Sequence, residues 1–247
     1  MKVWELEKEF DSLITFVKTG RAQKKQDVRN AVLKIKDAIC DRGDEALVEY
    51  SMAWDDWDKP YPIKLSDAEI DEAASRVPRK NTPILKGMIR NVTAYHKSQK
   101  LFVRTFKKKG LVVRETPVAV ERAMVYVPGG TASYPSSLIM GAVPAQIAGV
   151  KNISIATPGR KGAINDYVAA AAKLLGLRDI YRIGGAQAVY AFSFGTQSVP
   201  RVDMIVGPGN AYVEEAKRDV YGTVGIDMLA GPSELAVLCT DASFPHL

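Results

Sequence analysis

Three short turns in this 247-residue sequence carry the residue types that chemistry needs. They are Pro128-Gly129-Gly130-Thr131, Gly184-Gly185-Ala186-Gln187 and Gly207-Pro208-Gly209-Asn210. Each follows a short apolar run and leads into a helix-length segment. Without side chains, glycines let backbone N–H groups approach an anion where a helix begins. Chain reversal alone explains any one such turn. Three together, each closed by a polar side chain (Thr131, Gln187, Asn210), point to a phosphate-bearing ligand. No G-x-G-x-x-G is present, and no acidic residue stands where a ribose-gripping Asp is expected. On these residues alone the reading stops at an α/β protein that binds a nucleotide or another phosphate compound.

Few other side chains invite chemistry. The sequence has two histidines and two cysteines. His96, flanked by lysine in "NVTAYHKSQK", reads as a surface or boundary residue, and His246 is the penultimate residue. Cys40 and Cys239 sit in apolar stretches without metal-type spacing and read as reduced, buried thiols. Cys239, inside "SELAVLCTD" with no His or Lys nearby in sequence, reads as structural rather than nucleophilic.

The elements that position the turns follow from periodicity. From Ala123 onward, "AMVYV", "NISIAT", "DIYRI" and "VDMIV" are strand candidates. They alternate with the helix candidates "SSLIMGAVPAQIAGV", "INDYVAAAAKLLGL", "AQAVYAFSFG" and "NAYVEEAKRDVYG". Four such alternations predict a doubly wound, parallel, Rossmann-like α/β sheet with right-handed crossovers. Ligands in such sheets bind beyond the carboxyl ends of the strands, where the three turns lie.

The first half has another texture. Val28, Val32, Ile35 and Ile39 recur at helical spacing, Ser66 and Glu69 form a capping box before "DAEIDEAASRV", and a further helix is expected over 82–100. Trp54 and Trp57 fall in an acidic loop and read as packing or interface residues rather than cofactor contacts. Residues 1–122 hold 25 Lys and Arg against 19 Asp and Glu, whereas 123–247 hold 9 of each. The net charge of +6 thus resides in the first half, much of it in "LFVRTFKKKGLVVRETPV", which reads as a hairpin with a solvated tip. No aromatic–basic interleaving supports nucleic-acid binding. No apolar run suits a membrane span and the charged N-terminus is unlike a signal peptide, so a cytoplasmic location is expected.

The stretches "YVPGGTASYPSSLIMGAVPAQIAGV", "IYRIGGAQAVYAFSFGT", "VPRVDMIVGPGNAYVEEAKR" and "GIDMLAGPSEL" resemble the histidinol dehydrogenase family. They cover most of residues 122–235, with "GDEAL" and "YHKSQK" as looser matches upstream. The resemblance implies NAD as cofactor, with Tyr126, Gln187 and Asn210 as its contacts and Ser233 of "AGPSE" as a substrate contact. It also implies oxidation of L-histidinol through histidinal to L-histidine, the last step of histidine biosynthesis, by a homodimer.

The family's catalytic Glu-His pair, and its zinc ligands (a glutamine, two histidines and an aspartate), correspond to positions past Leu247. The resemblance therefore implies three parts: a helical region and the first part of a split α/β domain at 1–122, a dinucleotide-binding domain at 123–226, and a truncated return strand at 227–247. On that reading the second domain is incomplete, and the apolar faces of 234–239 and of the helices near 24–50 should be under-covered. The chain is then expected to be inactive alone. A paralogous polar-alcohol dehydrogenase and a non-catalytic NAD-binding fragment are the alternative readings.

Overall fold

The computed structural model describes residues 6–99, 101–129 and 134–230. Gly130, Thr131, Ser233, Cys239, His246 and the strand expected at 234–239 lie outside the described residues.

Two long helices open the chain, α1 (Leu6–Arg42) and α2 (Asp44–Trp54), broken at Gly43. They are followed by α3 (Asp67–Ser75) and α4 (Thr82–Lys97). The capping box forms as its residue types require: the Ser66 hydroxyl accepts from Glu69 N–H, and the Glu69 carboxylate accepts from Ser66 N–H at 2.8 Å. The other Glu69 oxygen pairs with Arg182 at 2.6 Å, tying α3 to the chain that follows the fifth strand.

The basic hairpin forms from β1 (Arg104–Lys108) and β2 (Leu111–Glu115), with Lys107 opposite Val112. Both strands are exposed along their length.

The alternating half builds the sheet. Its elements are β3 (Arg122–Tyr126), α5 (Pro135–Ala148), β4 (Asn152–Ala156), α6 (Asp166–Leu174), β5 (Ile180–Tyr181), α7 (Gly185–Phe194), β6 (Met204–Val206), α8 (Ala211–Val220) and β7 (Gly225–Ile226). The five strands lie in the order β5-β4-β3-β6-β7, with every neighbouring pair parallel. The order reverses between β3 and β6, which opens a crevice at the carboxyl edge. Beyond β5, residues 63–65 run antiparallel along the open edge: Leu65 N–H donates to Ile180 O and Arg182 N–H to Ile63 O.

Strand alternation sorts the core into two layers. Met124 and Tyr126 point to a cluster shared with α1, α2, α7 and α8, while Val125 and Val127 point to one shared with α3, α4, α5 and α6. The apolar stripe of α1 is well covered. Val32, Ile35 and Ile39 are at most 5% exposed, as are Ala46 and Leu47 of α2, because both helices pack on α7 and α1 also packs on α8. Under-covered faces over this part of the chain were expected and are not found. Complete burial of each such aliphatic side chain stabilises by roughly 1.5–3 kcal/mol.

Two smaller expectations also change, while Trp57 packs as expected. Cys40 is exposed rather than buried, because it lies one residue, about 100°, past Ile39 and so leaves the core-facing stripe. Trp54 is the last residue of α2 rather than part of a loop. Trp57 is buried and donates its Nε1–H to Gly159 O at 3.1 Å.

Candidate functional site

A cleft of about 1280 Å³ runs along the carboxyl edge of the sheet. Strand ends supply its floor, and α1 and α2 supply one wall through Ile35, Tyr50, Trp54 and Asp55. Tyr126, Gln187 and Asn210, from three turns far apart in sequence, all line it. Trp54 stacks on Tyr50 with ring centroids 4.6 Å apart and also faces this space, a position that packing alone did not predict.

Tyr126 ends β3 almost completely buried. Its hydroxyl accepts a hydrogen bond from Gly185 N–H at 3.0 Å, which satisfies one of the orphan donors at the start of α7. Burial pushes its phenol up to about 12, against partial relief from that bond. Gln187, also buried, folds back over Gly185, which sits at φ +65. A side chain on Gly185 would overlap the Gln187 amide oxygen.

Asn210 caps α8. Its Oδ1 accepts from the N–H groups of Tyr212 at 3.0 Å and Val213 at 3.1 Å, leaving its amide NH2 uncommitted among the described residues.

The glycines serve the protein's own packing as well as any ligand. Gly129 and Gly184 both press on Pro158, so that a Cβ on Gly184 would lie 2.7 Å from the proline ring and one on Gly129 would overlap it. Gly207 (φ +121) lies against the Tyr126 carbonyl, leaving no room for a side chain. The turns after β3, β4 and β5 thus touch through Pro158, and the turn after β6 rests on the end of β3.

Sequence reading missed two features. Asp55, the C-cap of α2, reaches the cleft beside Gly184. Burial raises its carboxyl from 3.8 to about 6, with the nearby Ser51 hydroxyl and Gly184 N–H offsetting part of that cost. Neither Ser51 Oγ nor Asp55 Oδ2 completes a hydrogen bond, although both atoms are buried.

The second feature is Lys217, fully buried on α8. Its ammonium pairs with Asp227 at 2.6 Å and donates to Gly207 O at 3.0 Å, while Gly207 N–H donates to Asp227 at 2.8 Å. Glu214 accepts from Ala230 N–H at 2.8 Å. This network clamps the 207–210 turn to residues 227–230, the segment that precedes Ser233 in sequence. Its only sequence signal was the spacing of Glu214 and Lys217 on one helix face.

A parallel sheet in this order, with glycine turns and polar side chains around one crevice, defines a doubly wound α/β protein with its cleft at the topological switch point. A family model described as histidinol dehydrogenase matches residues 18–247, and the chain belongs to that family of oxidoreductases. Among its relatives, the histidinol dehydrogenase of Carboxydothermus hydrogenoformans is 44% identical over 225 residues, covering 90% of this chain and 52% of the relative. That of Agrobacterium fabrum is 42% identical over 250 residues, covering 99% of this chain and 58% of the relative. The crystal structure of histidinol dehydrogenase from Elizabethkingia anophelis matches with a TM-score of 0.79 at 32% identity, over 94% of this chain and 49% of that one. The chain spans about half the length of the curated relatives it matches.

Among the described residues, no three or more His, Cys, Asp or Glu side chains converge to hold a metal ion. The described residues therefore do not make up a zinc site. No helix among them is long and apolar enough to cross a membrane.

Proposed function

We propose that this protein acts in the NAD-dependent oxidation of L-histidinol, through histidinal, to L-histidine, and that this chain supplies the dinucleotide-binding half. The observation that carries the reading is convergence: Tyr126, Gln187 and Asn210 line one cleft at the switch point of the sheet. In this proposal residues 123–226 form the dinucleotide domain, while 1–122 and 227–247 belong to a second, split domain. When bound, NAD would supply the hydride acceptor. Gln187 and the Asn210 amide would orient it by hydrogen bonding, and Tyr126 would hold the end of β3 and the start of α7 in register beneath it. Ser233, two residues after "AG", would contact the amino alcohol, with the Lys217–Asp227 clamp fixing the approach to it. Homodimerisation and a cytoplasmic location belong to the same proposal, on family likeness.

The test is calorimetric titration of the protein with NAD, paired with an assay of NADH formation from L-histidinol. Saturable one-site binding that weakens on Gln187→Ala or Asn210→Ala supports the cleft assignment. Absence of NAD binding refutes it. NAD binding combined with turnover of another polar alcohol but not of histidinol overturns the substrate alone.

A further inference from the structure

We propose that Asp55 is a ligand-contacting carboxylate, brought to the cleft from outside the sheet to hold a ribose diol of the dinucleotide. This rests on reading the cleft as the NAD site. In sheets of this strand order, the carboxylate that takes ribose hydroxyls commonly stands after the second strand. Here that strand is β4, and it runs into Thr157-Pro158, with no acid. Asp55 sits beside Gly184, and Gly184 packs on Pro158, so the carboxylate of α2 arrives next to the end of β4 through space rather than through sequence.

Hydrogen-bond accounting points the same way. Oδ2 of Asp55 is buried and completes no hydrogen bond, and the donor beside it is the Ser51 hydroxyl, whose own bond is likewise incomplete. An ionised carboxylate has about four acceptor sites, so the Ser51 hydroxyl leaves others open at the cleft for a ligand's donors. A vicinal diol presents two hydroxyl donors to one carboxylate. Asp56, the other acid lining the cleft, is already committed to Arg160 at 3.1 Å.

A purely structural role, with Gly184 N–H and the Ser51 hydroxyl as donors, uses two of the carboxylate's acceptor sites and leaves the others facing the cleft. The same placement excludes a phosphate from that helix start. A carboxylate stands at its positive end, and the Gly185 N–H is already taken by Tyr126. That leaves the cofactor's neutral donors, of which a ribose diol, with two adjacent hydroxyls, best matches a carboxylate.

The experiment is calorimetric titration of the parent, Asp55→Asn and Asp55→Ala with NAD and with ADP-ribose at neutral pH, each variant first checked by circular dichroism and thermal melting. The expected result is at least a tenfold loss of affinity for both ligands in folded Asp55→Asn, in line with losing hydrogen bonds to a charged acceptor. Should Asp55→Ala not fold, the isosteric amide decides. Asp55→Asn binding NAD within twofold of the parent overturns the proposal while leaving the cleft reading intact. Loss for NAD with none for ADP-ribose assigns the contact to the carboxamide and overturns the diol. A parent that binds no NAD overturns the cleft reading and this inference together.

Discussion

Replacing Asp55 by Asn removes a charge and almost no volume, which makes the energetic cost of that charge measurable. Its carboxyl is raised from 3.8 to about 6 by burial. A raised carboxyl means that the folded chain keeps a proton that the unfolded chain releases. The contribution of this group to stability is then highest below about pH 4, falls as the pH rises toward 6, and stays lower above that. The shift corresponds to about 3 kcal/mol of disfavoured charging. The carboxyl keeps some contact with water in the cleft, which lowers the expected gain on neutralising it to about 2 kcal/mol. An amide can also turn its carbonyl oxygen to Gly184 N–H and its NH2 to the unsatisfied Ser51 Oγ. Urea unfolding of parent and Asp55→Asn, followed by circular dichroism at several values from pH 4 to 7, reads the difference directly. The variant should be the more stable at pH 7, and its advantage should vanish near pH 4. A variant less stable than the parent at pH 7, or an advantage that ignores pH, would refute the argument. Greater stability with weaker NAD binding would mark a residue held for its ligand rather than for the fold.

Other expectations follow from the packing described above. Lys217→Met strands the Asp227 carboxylate and the Gly207 carbonyl and should cost about 3–5 kcal/mol in urea unfolding, with much of that recovered in the double variant Lys217→Met/Asp227→Leu. Gly207→Ala meets both an unfavourable φ of +121 and the Tyr126 carbonyl, so a loss of about 3 kcal/mol or more is expected; an unchanged melting temperature would contradict the close approach. Ser66→Ala opens the capping box and should cost about 1 kcal/mol while leaving NAD affinity unaltered, since α3 lies away from the cleft.

Local pattern carried the sequence reading as far as local pattern reaches. Short β-branched runs alternating with helix-length segments were enough for the parallel sheet, because a strand buried on both faces and its crossover helix leave distinct periods. Gln187 and Asn210 were visible because they follow strand ends directly. Asp55 was not, since it comes to Gly184 only when α2 packs on α7, a contact between residues 129 positions apart for which no local period exists. Lys217 read as an ordinary solvated lysine, and only its tertiary partners Asp227 and Gly207 make burial tolerable. Strand β7 is two residues long, too short for alternation to register. The stripe on α1 marked an apolar face in the sequence but not what covers it, and α7 and α8 supply that cover.

Pro158, pressed by both Gly129 and Gly184, bears on how such a site can vary over time. A larger residue at either glycine demands a smaller one at the proline, and Gly207 is similarly bound to the backbone of Tyr126. Single substitutions at the mouth of the cleft are thus mostly dead ends, and accessible variation must come in matched pairs or from the wall. The wall, where Tyr50 and Trp54 stack on each other rather than on the floor, meets no such backbone interlock, and it is there that lineages could retune what the cleft accepts without dismantling its floor.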